Sequence, residues 1–263
     1  MKIVKISLSI IVSIVTASSA FAWGQPQEDT IMSTPKRCAS PHLGKLDRLL
    51  IENELDVLRA RRGFKSIDLR TAAPIVVPIY FHVINKGPAA TDGNVGDAML
   101  KEQVDVMNKA YAPVQVSFTL GGIDRTTDAK WMGSSMFSSG ETAMKNALRK
   151  GDSGALNVYT TAATDGTLGW ATFPWDYNTK PKMDGVVIHY GTLPGGTYPA
   201  YDLGMTLVHE AGHWLGLFHT FQGGCSTGGD SVADTPPEKG PNFGCPSMAP
   251  DSCPGDKDAD PIH

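Results

Sequence analysis

The stretch HEAGHWLGLFH, residues 209–219, holds three of the chain's seven histidines and one glutamate. His209 and His213 are four apart, so a helix sets both imidazoles on one face, close enough to share an ion. Glu210 projects toward the same opening, where it can reach a water on the metal without being a ligand. His219 lies six residues beyond His213, far round the axis if the helix continued. Gly216 supplies the remedy, because glycine tolerates the left-handed, helix-ending conformation and lets the chain turn back with a third ligand. Three imidazoles make a zinc set that leaves one position open, the mark of a catalytic rather than a structural site. The bland alternative, histidines gathered by chance, needs five specified residues to coincide. The helix is expected from about Tyr201 to Leu215, with Leu215, Leu217 and Phe218 filling the core around the turn.

Upstream, strands and helices alternate. PIVVPIYFHVI (74–84), VQVSFTLGGI (114–123), ALNVYTTA (155–162) and GVVIHYG (185–191) carry the β-branched and aromatic residues of buried strands. Helices are expected from about Gly96 to Ala110, with Met99, Val104 and Met107 on one side, and over GETAMKNALRKG (140–151), which Gly151 stops. After residue 219 the chain turns to Gly, Pro, Asp and Cys with little periodicity. Such a composition needs cross-links or ions to hold a shape.

At the other end, Lys2 and Lys5 precede an apolar centre from Ile6 to Val15 and the small-residue pattern Ala20-Phe21-Ala22. Residues 1–22 therefore read as a secretory signal peptide, and the protein as secreted and extracellular. A membrane anchor is the alternative, but Ser7, Ser9, Ser13 and Thr16 interrupt a run too short to span. The remainder is expected to be without a stable membrane anchor. With 23 Lys+Arg against 27 Asp+Glu, nothing draws the chain to nucleic acid, and 41% hydrophobic residues suffice for a core. Residues 23–62 are polar and charged and read as a propeptide, leaving 63–263 as the catalytic domain. Within LGKLDRLLIENELDVLRARRG (43–63), Leu46, Leu49, Leu50, Ile51, Leu55 and Leu58 recur at helical spacing. The cluster Arg59-Ala60-Arg61-Arg62-Gly63 reads equally as a processing site or a solvated helix end. Export makes cysteine pairing favourable, and Cys38, Cys225, Cys245 and Cys253 allow three full pairings.

The 209–219 string matches His-Glu-x-x-His-x-x-Gly-x-x-His, the zinc signature of metzincin metalloproteases. TLVHEAGHWLGLFHTFQGGC, GDSVADTP, FGCP and the final DPIH resemble the pappalysin-like branch, particularly secreted microbial and fungal extracellular metalloproteases. The resemblance runs from about Ile75 to the end and is strong from Gly185. It implies an α+β, zincin-like fold: a twisted mixed sheet with an antiparallel edge strand, a backing helix, an active-site helix and a loop-rich C-terminal subdomain. The implied activity is endopeptidase cleavage of protein or peptide substrates by a monomer. Zn2+ on His209, His213 and His219 would lower the pKa of a bound water, and Glu210 would take its proton as general base.

The resemblance also implies a substrate-aligning edge strand within GTLGWATFPW (166–175), about Leu168 to Thr172, whereas Trp170 and Trp175 themselves read better as core aromatics. It implies Ca2+ just after the zinc motif, with Asp230, Asp234 and Thr235 as ligands; a solvated acidic loop is the duller reading. It implies a Cys225–Cys253 disulfide, with Cys245 left for a cysteine further downstream. Finally, Cys38 in KRCAS (36–40) would be a zymogen switch, a propeptide thiolate acting as temporary fourth zinc ligand, against the alternative of an incidental thiol. His42, His82 and His189 have no ligand spacing and read as structural or surface residues.

Metzincins carry a methionine turn downstream of the third histidine, and this chain stops at His263 before it; Met248 lacks the context. Three explanations compete, an incomplete gene model, a naturally shortened pseudo-enzyme and an unusual but active short form, and the expectation is the first. The competing function is a secreted pseudo-protease or binding protein that keeps the fold without turnover. Glu210 speaks for the enzyme, because a binding-only site needs no base.

Overall fold

In the computed structural model the described residues are 36–61, 73–226, 228–244, 248, 250–253 and 259–261. The signal segment, the boundary at residues 62 and 63, and Cys245 lie outside them. A helix, α1 (Lys45–Arg61), precedes strand β1 (Ile75–Asn85). There follow α2 (Asp97–Tyr111), β2 (Val116–Thr127), the short α3 (Ala129–Met132) and α4 (Ser139–Leu148). Then come β3 (Leu156–Thr161), β4 (Gly169–Ala171), β5 (Val186–His189) and α5 (Met205–Trp214).

The strands form one sheet in the order β2-β1-β3-β5-β4. All neighbours are parallel except β4, which pairs antiparallel with β5 and stands at the edge. This is the mixed sheet with an antiparallel edge strand that the resemblance implied. β1 is an interior strand, and its residues from Phe81 to Asn85 are buried on both faces, which the β-branched and aromatic run fits.

Two apolar layers sandwich the sheet. On one face, Val77, Ile79, Phe81 and Val83 meet Leu100, Val104 and Met107 of α2 and Leu207, Ala211 and Trp214 of α5. The α2 residues recur at helical spacing, and each such burial stabilises by about 1.5–3 kcal/mol. Met99 is only partly buried beside them. On the other face, Ile84, Tyr159, Trp170 and Val187 meet Met132 and Met144. Ser138 caps α4, its Oγ accepting from Glu141 N at 3.1 Å.

That second layer contains a buried ion pair. Lys145 Nζ lies 2.9 Å from Glu141 Oε1, and both side chains are almost wholly enclosed. The same Glu141 oxygen accepts from Trp170 Nε1 at 2.7 Å, while Oε2 accepts from Phe137 N. The edge strand is thus fastened from behind through its central residue, and Trp170 is a core aromatic as expected. Trp175 is half-buried, stacked on Phe173.

Three expectations need correction. Helix α5 begins at Met205, not near Tyr201, because Gly204 takes φ +77° and the buried Gln103 packs against it, donating to its carbonyl at 3.0 Å. Of the turn residues, Phe218 is buried, but Leu215 and Leu217 are exposed. Helix α1 forms where predicted, yet Leu46, Leu49 and Leu50 face outward and Arg48 is its one buried residue among those described. Its guanidinium donates to the carbonyls of Gln222 at 2.9 Å and Gly229 at 2.6 Å. Backbone acceptors thus hold the one buried side chain of this helix, while Ile51 and Leu55 are half-buried.

Candidate metal centre and active-site cleft

His209, Glu210 and His213 project from α5, and the chain leaves the helix as the spacing demanded. Gly216 has φ +104°, with Gly216 N donating to His213 O and Leu217 N to Gly212 O, both at 2.9 Å. These bonds close the helix end and swing His219 back beneath it. The Nε2 atom of His213 then lies 3.1 Å from Nε2 of His209 and 3.2 Å from Nε2 of His219.

The protonation of His213 follows from its surroundings. Its Nδ1 lies 2.7 Å from the Leu217 carbonyl, which can only accept, so Nδ1 carries the hydrogen and Nε2 the lone pair. Burial holds this imidazole below its ordinary pKa, favouring the neutral ring, against the opposing Leu217 bond. Phe173 meets it edge-on at 5.5 Å, with Phe218 and Trp175 packed behind Phe173. His219 is stacked between His42 and Phe221. Three imidazole nitrogens brought this close, one with its lone pair fixed inward, suit a divalent cation between them.

A fourth donor comes from the amino-terminal segment. Cys38 Sγ joins the three histidines in a group whose ligand atoms all lie within 4.8 Å of one another, the one such group among the described residues. Burial first, and the Glu210 charge second, hold the Cys38 thiol well above its usual pKa, so a thiolate here requires a cation beside it.

Glu210 is fully buried, with burial pushing its carboxyl up to about 8 against hydrogen bonds that favour the ionised form. Its Oε2 accepts from Ser40 Oγ at 3.0 Å and lies 3.5 Å from Cys38 Sγ. Oε1 has no hydrogen-bond partner among the described residues. The carboxylate can lie so close to β4 because residue 169 is glycine: a Cβ there would stand 2.9 Å from Glu210 Cγ.

The cleft wall is β4, shorter than the expected Leu168 to Thr172. Residues 36–40 run beside it in the parallel sense, with a bridge between Lys36 and Thr167. Leu168 N donates to Lys36 O, Ala39 N to Gly169 O at 3.0 Å, and Ala171 N to Ser40 Oγ at 2.9 Å. At the far end of the wall Asp184 ties strand to helix, its Oδ1 accepting from Trp214 Nε1 at 3.0 Å and from Thr172 Oγ1, while Oδ2 meets Arg149.

Residues 154–257 match the family model described as Pregnancy-associated plasma protein-A. An extracellular metalloprotease of Podospora anserina is 39% identical over 252 residues, which cover 94% of this chain and 84% of that protein. The chain belongs to the pappalysin-like metzincin metalloproteases. Extracellular metalloprotease 1 of Coccidioides posadasii is 47% identical over 194 residues, 73% of this metalloprotease and 68% of that one. Among solved structures, mature Tannerella forsythia mirolysin in complex with a cleaved peptide is similar with a TM-score of 0.57 and 31% identity, covering 71% of this chain and 80% of that chain. A promirolysin variant gives 0.60 and 28%, covering 84% and 83%.

Elsewhere in the metalloprotease, Cys225 and Cys253 are joined by a disulfide. Asp230 is buried, but its carboxylate turns to Val232 N at 3.0 Å and to Thr235, while Asp234 is exposed. Burial raises the Asp230 pKa. The arrangement gives calcium at Asp230, Asp234 and Thr235 no support. His82 is buried against Asp124 and Asn157, His189 accepts from Gly191 N, and Met248 is exposed. Residue-type reasoning missed Ser40, Gly169, Phe173 and Arg48. Ser40 had a signal, because in an extended segment positions 38 and 40 share one side. No helix among the described residues is long and apolar enough to cross a membrane.

Proposed function

We propose that this metalloprotease is a secreted zinc endopeptidase made as a zymogen, with residues 1–22 as signal peptide, 23–62 as leader and 63–263 as the catalytic domain. The carrying observation is the convergence of three histidine nitrogens and the Glu210 carboxylate beside an edge strand with outward main-chain groups. His209, His213 and His219 would hold Zn2+, which supplies Lewis-acid polarisation of the scissile carbonyl. β4 would align an extended peptide through Gly169 O and Ala171 N. Glu210 would accept a proton from the attacking water and return it to the leaving amine at the same carboxylate. Its enclosed, water-poor position favours proton uptake during turnover. Calcium is no part of this reading.

Within the same reading, Cys38 is the switch: its sulfur stands among the ligand histidines and would displace the water until residues 23–62 are cut away. The catalytically dead binding protein is disfavoured, since a fully buried carboxylate beside Cys38 of the histidine group, with one oxygen unpartnered among the described residues, costs stability that only chemistry uses. The test is metal analysis and peptide hydrolysis by the processed protein. One zinc per chain and chelator-sensitive cleavage are expected, with Glu210→Ala lowering kcat by about 10²–10⁴ while zinc content stays unchanged. Cleavage that persists in Glu210→Ala would overturn the assigned base.

A further inference from the structure

The leader occupies the cleft with two side chains, not one. Cys38 and Ser40 point the same way from an extended segment, and their targets differ. Cys38 Sγ lies within the histidine group, whereas Ser40 Oγ makes two short contacts with groups that substrate would need. It donates to Glu210 Oε2 at 3.0 Å and accepts from Ala171 N at 2.9 Å. A hydroxyl is one donor and an acceptor at once, so both bonds form together. Ser40 is 3% exposed, so water does not compete for either. The cysteine is braced by the same residue, since Ser40 N donates to Cys38 Sγ at 3.3 Å.

We propose that Ser40 is a second latch, masking the general base and the strand donor of the cleft independently of the metal. This rests on the zymogen reading above and extends its regulation. The hold of Cys38 depends on a cation that draws the thiolate. The hold of Ser40 needs only a carboxyl oxygen and a main-chain N–H, both present whether or not a metal is bound. Removing the sulfur alone therefore leaves the cleft half closed: Ala39 and Ser40 still occupy Gly169 O and Ala171 N, and Glu210 still accepts from a leader hydroxyl. The leader stays seated while metal is being acquired, and full opening requires both contacts to go.

The experiment compares the full chain with Ser40→Ala, Cys38→Ala and the double variant, each with zinc and after chelation. Hydrogen exchange is read at the Ala171 amide, with β1 and β3 amides as internal reference for an intact fold. In the chelated protein Ser40→Ala should speed exchange at Ala171 about tenfold, the worth of one net hydrogen bond, while Cys38→Ala leaves it near wild type. In the zinc-loaded, uncut protein each single variant should keep most of its latency, and the double variant should show peptide cleavage well above the sum of the two. Exchange at Ala171 unchanged by Ser40→Ala, or full activity from Cys38→Ala alone, overturns the second latch. Zinc-free, inactive protein in every variant even after leader removal, with the exchange effect intact, would instead defeat the protease reading and leave the contact standing.

Discussion

Two helices of this protein carry apolar residues at helical spacing, and they use them oppositely. α5 buries Leu207 and Ala211 in the main core and so fixes the direction of His209, Glu210 and His213. α1 leaves Leu46, Leu49 and Leu50 outward and sends Arg48 into the 222–229 loop. The first is held by core packing; the second is held in part by hydrogen bonds from a buried arginine to backbone carbonyls. Undoing apolar burial opens a packed core to water, whereas a few directional bonds can break locally.

The sharpest way to break this contrast is at the layer behind His213. Phe173→Ala should cost about 3–5 kcal/mol in a denaturant titration and lower metal retention with it. Leu207→Ala, on the buried side of α5, should cost about 2–5 kcal/mol by the same measurement. Arg48→Met should leave the global transition nearly unmoved, yet loosen α1 by about 1.5–3 kcal/mol, seen as faster hydrogen exchange confined to that helix. Leu49→Ala should lie within about 0.5 kcal/mol of wild type in both assays. A large effect of Leu49→Ala, or none of Leu207→Ala, would erase the distinction between the two helices.

The same contrast explains what the sequence made legible. The metal motif could be read because ligand spacing, base and turn glycine all obey one local rule, the pitch of a helix and the freedom of Gly216. The long strands announced themselves through β-branched runs that need burial on two faces. β4 is only three residues long, too short for periodicity, and its role had to come from resemblance. Arg48 escapes sequence reading because its partners, the carbonyls of Gln222 and Gly229, lie more than 170 positions away and carry no residue-type signal. Leu215 and Leu217 were assigned to the core because hydrophobicity was allowed to stand for position. The structure spends that turn on delivering His219 and leaves both leucines outside.

The enclosed Glu141, Lys145 and Trp170 trio has a consequence for how this sequence can vary. Losing Glu141 or Lys145 alone strands a charge in the interior at a cost of about 3–5 kcal/mol, and losing Trp170 takes a donor from the Glu141 carboxylate, while replacing the charged pair together with well-packed apolar residues can be close to neutral. The three positions are therefore epistatic. A lineage can cross from this arrangement to an apolar one only by near-simultaneous change, and substitutions at 141 and 145 should be found together or not at all.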